Sequence, residues 1–248
     1  MPQILITRRH LIALAVLSGT ATMALAAPVT NAARAAMLAF DGVYIPVLFL
    51  TGSAGKSAEG AAKATAAMRR VMEQWAARRQ ALEAGVPGQA VWAKALDGVQ
   101  DKLHEADVLV SKAQWAASHE VLEHVREIMF EARRSLGLAY ALDDFTAFHG
   151  AMEKVANATS AQRPTVEADL AAAKALWNVI EGMTFDPAVY GLSAAQASQL
   201  AQARADETAA LARLSQALRE AGDADLRKAM AAIKPPFVRA YLAFGAPV

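Results

Sequence analysis

The stretch at residues 115–136, WAASHEVLEHVREIMFEARRSL, decides the fold class of this chain. Apolar side chains recur along it every three or four residues, at Trp115, Leu122, Val125, Met129, Ala132 and Leu136. That spacing places them on one stripe of an α-helix, the stripe that faces a core. Similar stripes run through the segments before and after it. The pattern therefore predicts a helix that packs with one face against other helices.

The rest of the chain predicts further helices separated by clear breaks. Glycine and proline mark these breaks, at residues 85–88, Gly137, Pro164, 185–187 and 235–236. No stretch alternates polar and apolar residues for long enough to form a sheet. Much of the 55% hydrophobic content is alanine, which favours closely packed helices. We therefore predict an all-α fold, a helical bundle of about eight helices.

A weak internal repeat divides the chain into two parts. At an offset of 108 residues, the residues Ala39, Phe40, Gly42, Val47 and Thr51 match Ala147, Phe148, Gly150, Val155 and Thr159. Alanine-rich helices also produce such matches by chance. The repeat predicts two tandem four-helix units, at residues 27–140 and 141–248, packed as two bundles or as one.

The first 26 residues have the pattern of a secretory signal peptide. Arg8 and Arg9 precede an apolar run at residues 11–26, which ends in Ala24-Leu25-Ala26. A charged start, an apolar middle and an A-x-A cleavage site are typical of such a signal, so cleavage is predicted after Ala26. The arginine pair resembles the twin-arginine export motif, and both this route and the general secretory route stay open. We expect the mature protein in the periplasm or outside the cell.

Composition excludes several classes of function. The chain has 25 Lys and Arg against 24 Asp and Glu, and removal of the first 26 residues leaves 23 against 24. A nearly neutral protein has no global attraction for nucleic acid. The absence of cysteine excludes disulfides, iron–sulfur clusters and c-type haem attachment. No segment after the signal reaches membrane-spanning length without charges, so we expect no integral span after cleavage.

Residues that carry chemistry are concentrated in one region. The four histidines of the mature chain all lie within residues 104–149, where acidic residues are dense. A spacing of four puts His119 beside Glu123, and His149 beside Glu153, on one helix face. Imidazole and carboxylate on facing helices are the groups with which bundles hold metal ions. The candidate metal ligands are therefore Glu123, His149, Glu153 and His119, with a second, weaker cluster formed by His104 and His124.

The turn near residues 138–141 predicts the register of these two helices. If they form an antiparallel hairpin, Glu153 comes opposite Arg126, and His149 comes opposite Met129 or Phe130. His119 lies about 10 Å further along the axis, which is a long reach for a shared ligand. A buried network in which Arg126 neutralises Glu153 explains the same residues without any ligand. A cation inside the site would also oppose metal binding.

Three functions remain after these exclusions. The first is an exported, non-catalytic helical-bundle binding protein, which binds a transition metal such as copper, nickel, zinc or iron through Glu123, His149 and Glu153. The alternative is a ligand-free interaction or chaperone-like module with a protein partner in the cell envelope. The third is an enzyme with Glu123 or His149 as an acid–base group, although the sequence contains no specific catalytic motif. Apart from the metal, no cofactor is indicated.

Overall fold

The chain is helical over almost all of the length that the structure describes. The structure is a computed structural model, and it describes residues 27–28, 30–159 and 162–247. The helices are α1 Asn31–Ala54, α2 Ala58–Gly85, α3 Ala90–Ser111, α4 Trp115–Ser135, α5 Ala141–Asn157, α6 Arg163–Gly182, α7 Pro187–Tyr190, α8 Ala194–Glu220, α9 Asp223–Ala231 and α10 Lys234–Leu242. The prediction of an all-α bundle is confirmed. The predicted signal peptide at residues 1–26 lies outside the described residues.

Within the described ranges, a short strand pair accompanies the helices. The segments β1 Ala27–Pro28 and β2 Leu138–Ala139 pair in parallel. The pair joins the residues that follow the predicted cleavage site to the turn between α4 and α5. Because each segment has only two residues, polar–apolar alternation in the sequence could not indicate it.

The helices pack as two rings of the same order. In the first ring, α1 packs against α2 and α4, and α3 completes the ring between those two helices. In the second ring, α5 packs against α6 and α10, and α8 lies between them, with α9 against α5 and α8. The rings meet where α1 contacts α10 and where α4 contacts α5. We call the two rings the first and the second bundle, and the place where they meet the junction.

The sequence offset of 108 residues relates the helices of the two bundles. It carries α3 to residues 198–219, inside α8, and α4 to residues 223–243, which α9 and α10 occupy. In α3 the buried residues Val99 and Leu103 correspond to Glu207 and Leu211, which are also buried. The division of the chain into two duplicated units stays a prediction, and this helix order is compatible with it.

Helix α1 is the most apolar helix of the first bundle and lies near the N-terminus. By length and composition it could cross a membrane, with 24 residues and a mean hydropathy of 1.6 in its most apolar stretch. However, 61% of that stretch is buried against other parts of the protein. A core helix and a signal sequence both have this composition, and it includes the charged residues Arg34 and Asp41.

A proline inside α1 ties the C-terminal end of the chain to the first bundle. Pro46 has no N–H, so the Gly42 carbonyl one turn earlier lacks its helical donor. The backbone N–H of Ala246 donates to that carbonyl over 2.7 Å. Gly245 lies directly on the proline ring, since a Cβ at this residue would be 3.0 Å from Pro46 Cγ. The last residues of the chain therefore complete the hydrogen bonding of the first helix.

Candidate functional site

Most of the predicted metal ligands come together at the junction, in a row that we call the histidine cluster. Its members come from three helices: His119, Glu123 and Arg126 from α4, His149 and Glu153 from α5, and Lys234 from α10. His119, Glu123, His149 and Glu153 are largely buried, with between 14% and 26% of each side chain exposed. The row connects the two bundles.

Arg126 is the centre of the histidine cluster. Only 5% of the residue is exposed, and its Nη2 donates to the Glu123 carboxylate and to His149 Nδ1, the latter over 2.6 Å. A guanidinium group only donates hydrogen bonds, so His149 Nδ1 must act as the acceptor. The proton of a neutral His149 ring is therefore on Nε2, which lies 3.4 Å from Glu153 Oε1. Arg126 Nε and Nη1 are buried without a hydrogen-bond partner.

Glu153 is held as a carboxylate by its neighbours. Lys234 Nζ lies 2.7 Å from Glu153 Oε1, and Asn157 donates to Oε2 over 2.8 Å. Burial by itself would raise the pKa of Glu153, but the contacts with His149 and Lys234 outweigh it and lower the pKa to about 2. Two carboxylates thus face two permanent cations, so the histidine cluster is neutral overall when both histidines are neutral.

His119 forms the outer end of the row. Its Nε2 lies 3.6 Å from Glu123 Oε1, and its Nδ1 lies 2.8 Å from the Leu48 carbonyl oxygen of α1. That carbonyl can only accept, so Nδ1 carries a proton. His119 is therefore closer to Glu123 than to the histidine of the other bundle, and it connects α4 to α1.

The register predicted for α4 and α5 differs from the observed one by about one helical turn. His149, and not Glu153, lies against Arg126, while Glu153 pairs with Lys234. The prediction counted residues from the turn as if the two helix axes ran side by side. In the structure α5 belongs to the second bundle and touches α4 only at the junction, and α10 supplies the cation for Glu153.

The geometry of the histidine cluster bears on the metal prediction. Within the described residues, no group of three or more His, Asp or Glu side chains is placed so that it could hold one metal ion. Arg126 uses the lone pairs of Glu123 and His149 that a metal would need. In the second predicted cluster, His104 and His124 are both exposed, and His104 Nδ1 lies 2.9 Å from the Gln100 carbonyl of its own helix.

The sequence reasoning missed a second buried cluster at the junction, which we call the aspartate cluster. The hydroxyl of Tyr140 donates to Asp41 Oδ2 over 2.5 Å, although 99 residues separate the two. Arg133 binds both carboxylate oxygens of Asp143, and its guanidinium lies 4.8 Å from the centre of the Tyr140 ring. Burial raises the pKa of Asp41 to about 6, although Arg133 and Tyr140 both lower it. One signal was available: an aspartate inside an otherwise apolar helix must find a partner.

An open cavity of about 510 Å³ lies beside the aspartate cluster. It is bounded by the end of α4, the turn that leads into α5, the loop at residues 183–184 and the end of α7. Its lining includes apolar and aromatic side chains together with carboxylates, namely Phe130, Leu138, Tyr140, Asp143, Asp144, Met183 and Tyr190. A volume of this size suits a small organic molecule.

These contacts define what the junction can do chemically. The imidazole and carboxylate groups of the histidine cluster already hold hydrogen bonds and ion pairs, whereas the cavity offers surface that solutes can reach. No protein-family model, curated protein or solved structure matches the chain.

Proposed function

We propose that the protein is exported through its N-terminal signal and works without catalysis, as a helical-bundle protein that binds a small ligand at the junction of its bundles. The observation that carries the proposal is the cavity of about 510 Å³ beside the aspartate cluster. Charged side chains are buried here because each finds a partner from another helix, as Arg133 does in Asp143. Such paired groups give a binding site fixed walls before a ligand arrives.

The absence of catalysis in this proposal follows from the state of the acid–base groups. Glu123 is bound to Arg126, and His149 accepts from the same guanidinium through Nδ1. A general base needs a free lone pair that faces the substrate. Neither group offers one to the cavity, which is lined by other residues.

The alternative, an interaction module that docks a protein partner, has less support from the surface. Among the described residues, the exposed large hydrophobic side chains are Val91, Val108, Val179 and Val189. They lie on α3, α6 and α7, and the two on α3 are 17 residues, or about 25 Å, apart. Single exposed valines are ordinary on a protein surface and do not form a docking patch.

Metal binding at the histidine cluster is the second candidate, and one observation favours it. His119, Glu123, His149 and Glu153 follow one another with contacts of 3.4–3.9 Å between ligand-type atoms. A metal ion there would have to displace Arg126 from Glu123 and His149. Its binding energy must therefore exceed the cost of leaving the guanidinium buried and unpaired.

The test uses the mature protein, purified from the periplasm without tag or chelator. Native mass spectrometry and elemental analysis report retained ligands and metals, and thermal unfolding is then followed with amines, carboxylates, sugars and divalent metals. We expect a small molecule to raise the unfolding temperature, and Phe130→Ala to remove that gain. About one metal ion per chain, lost on His149→Ala, would instead support the histidine cluster. No retained mass and no thermal shift with any compound would overturn the binding function.

A further inference from the structure

The two aspartates in the cavity differ in how their charge is balanced. Asp143 is neutralised by Arg133, through contacts of 2.5–2.9 Å. Asp144, the next residue, makes no ion pair with any described side chain and faces only its own backbone N–H. Arg134 also lines the cavity, but its side chain is 71% exposed and lies 3.6 Å from Glu131. The cavity therefore contains one uncompensated negative charge.

Burial makes this uncompensated charge costly. Asp144 is partly buried, and burial followed by the nearby charge of Asp143 raises the pKa of Asp144. Burial likewise raises the pKa of Asp143 in spite of Arg133. A cation that enters the cavity would stabilise the ionised form of both groups.

The walls of the cavity favour an organic cation over a hydrated metal ion. Tyr190 contacts the rings of Phe185 and Phe244 at 5.2 and 5.9 Å between centroids, which fixes its position. Phe130 and Met183 supply further apolar surface. Aromatic rings beside a carboxylate are the groups that bind ammonium compounds, through ring electrostatics and apolar contact.

We propose that the cavity binds a small organic ammonium compound, with its charge paired to Asp144 and its apolar part against Phe130 and Tyr190. This inference rests on the proposed function and adds the chemical class of the ligand. It also assigns a role to Asp144 that the helix does not require. An acid in the first turn of a helix is favoured by the helix dipole alone, so the test needs a control aspartate in the same kind of position.

The experiment compares three ligands of one shape on the mature protein at neutral pH. Choline is the cationic probe, 3,3-dimethyl-1-butanol is its neutral isostere, and 3,3-dimethylbutanoate is the anionic one. Titrations followed by calorimetry are expected to show one choline per chain, bound at least about tenfold more tightly than either isostere. Asp144→Asn should weaken choline binding about tenfold or more, while Asp225→Asn should leave it unchanged. Asp225 lies in the first turn of α9, as Asp144 lies in that of α5, but outside the cavity.

The outcomes separate this inference from the proposed function. Equal binding of choline and the alcohol, or choline binding that Asp144→Asn does not weaken, overturns the ammonium assignment. Binding of the alcohol or the butanoate, abolished by Phe130→Ala, also overturns it but leaves a ligand site at the junction. No binding of any probe, together with no thermal shift in the broader panel, overturns both. If Asp144→Asn does not fold, loss of choline binding in Tyr190→Ala with unchanged helix content supports the inference, and retained binding contradicts it.

Discussion

Glu207 is a buried acid that the second bundle holds without a partner. The residue is 0% exposed, and neither carboxylate oxygen makes a hydrogen bond. Burial raises its pKa to about 8, while the nearby Phe237 backbone N–H and the charge of Arg239 lower it by smaller amounts. The carboxyl group is therefore protonated in the folded protein at neutral pH, and ionised in the unfolded chain above its ordinary value of 4.5.

Replacement of Glu207 by glutamine should change the pH dependence of stability. Because the pKa is raised on folding, the wild-type protein loses stability as pH rises from 4.5 through about 8, and it loses none from this group below 4.5. Glu207→Gln removes that loss, so its advantage in the free energy of unfolding should grow to a few kcal/mol at alkaline pH. Urea unfolding at several pH values measures this. Glu220→Gln, an exposed change on the same helix, is the control, and a parallel pH profile for wild type and Glu207→Gln would refute the assignment.

Arg126 should be the residue of the histidine cluster that stability depends on most. Its removal leaves Glu123 partly buried without its cation, which typically costs about 3–5 kcal/mol. We expect Arg126→Met to lower the free energy of unfolding by roughly that amount, and Arg126→Met with Glu123→Leu to recover most of it. Chemical denaturation of both variants provides the measurement. Arg134→Met, an exposed arginine on the same helix, should change stability by less than about 0.5 kcal/mol.

At the scale of elements, α1 and α2 pack closely because small residues face each other. A Cβ added at Gly85, the last residue of α2, would lie 2.8 Å from Cα of Ala33 and 3.2 Å from its Cβ. Backbone atoms cannot move aside as the end of a flexible side chain can. The start of α1 and the end of α2 therefore approach each other at a distance that only glycine permits.

Alanine at two glycine positions should have opposite effects. Gly85→Ala is expected to lower the free energy of unfolding by about 1–3 kcal/mol through the clash with Ala33. Gly42→Ala should raise it by up to about 1 kcal/mol, because Gly42 lies inside α1 with open space at its Cβ position and alanine has the higher helix propensity. Thermal or urea unfolding of both variants gives the comparison. Destabilisation by Gly42→Ala as large as that by Gly85→Ala would contradict the packing argument.

At the scale of the whole molecule, the export proposal predicts a defined mature chain. Protein recovered from the periplasm should begin at Ala27, the first residue of β1, and intact-mass measurement reads this directly. Substitution of Arg8 and Arg9 by lysine should block export if the twin-arginine route is used, and should leave it intact for the general route. Detection of the full-length chain alone, in the cytoplasm, would count against export.

The two bundles also meet through related positions. At the offset of 108 residues, Arg126 corresponds to Lys234 and Asp41 corresponds to His149. All four residues lie in the two polar clusters of the junction. Under the predicted duplication, the polar groups of the junction would come from equivalent places in both units.

The sequence by itself determined the features that depend on neighbours a few residues apart. Periodicity predicted the helical class, and Gly137 and the prolines at 235–236 marked real helix ends. Ser193, whose side chain caps α8 in a capping box with Gln196, is equally local. Such features arise from hydrogen bonds and side-chain contacts within one or two helical turns, so a single segment contains all the information.

Only the tertiary structure decided which of the chemistry-bearing residues meet. The pairing of Asp41 with Tyr140 joins residues 99 apart, and the pairing of Glu153 with Lys234 requires the approach of α10. The predicted hairpin register was wrong by a turn because α4 and α5 belong to different bundles. The angle and offset at which two bundles dock depend on the packing of many side chains at once, and no short pattern in the sequence encodes them.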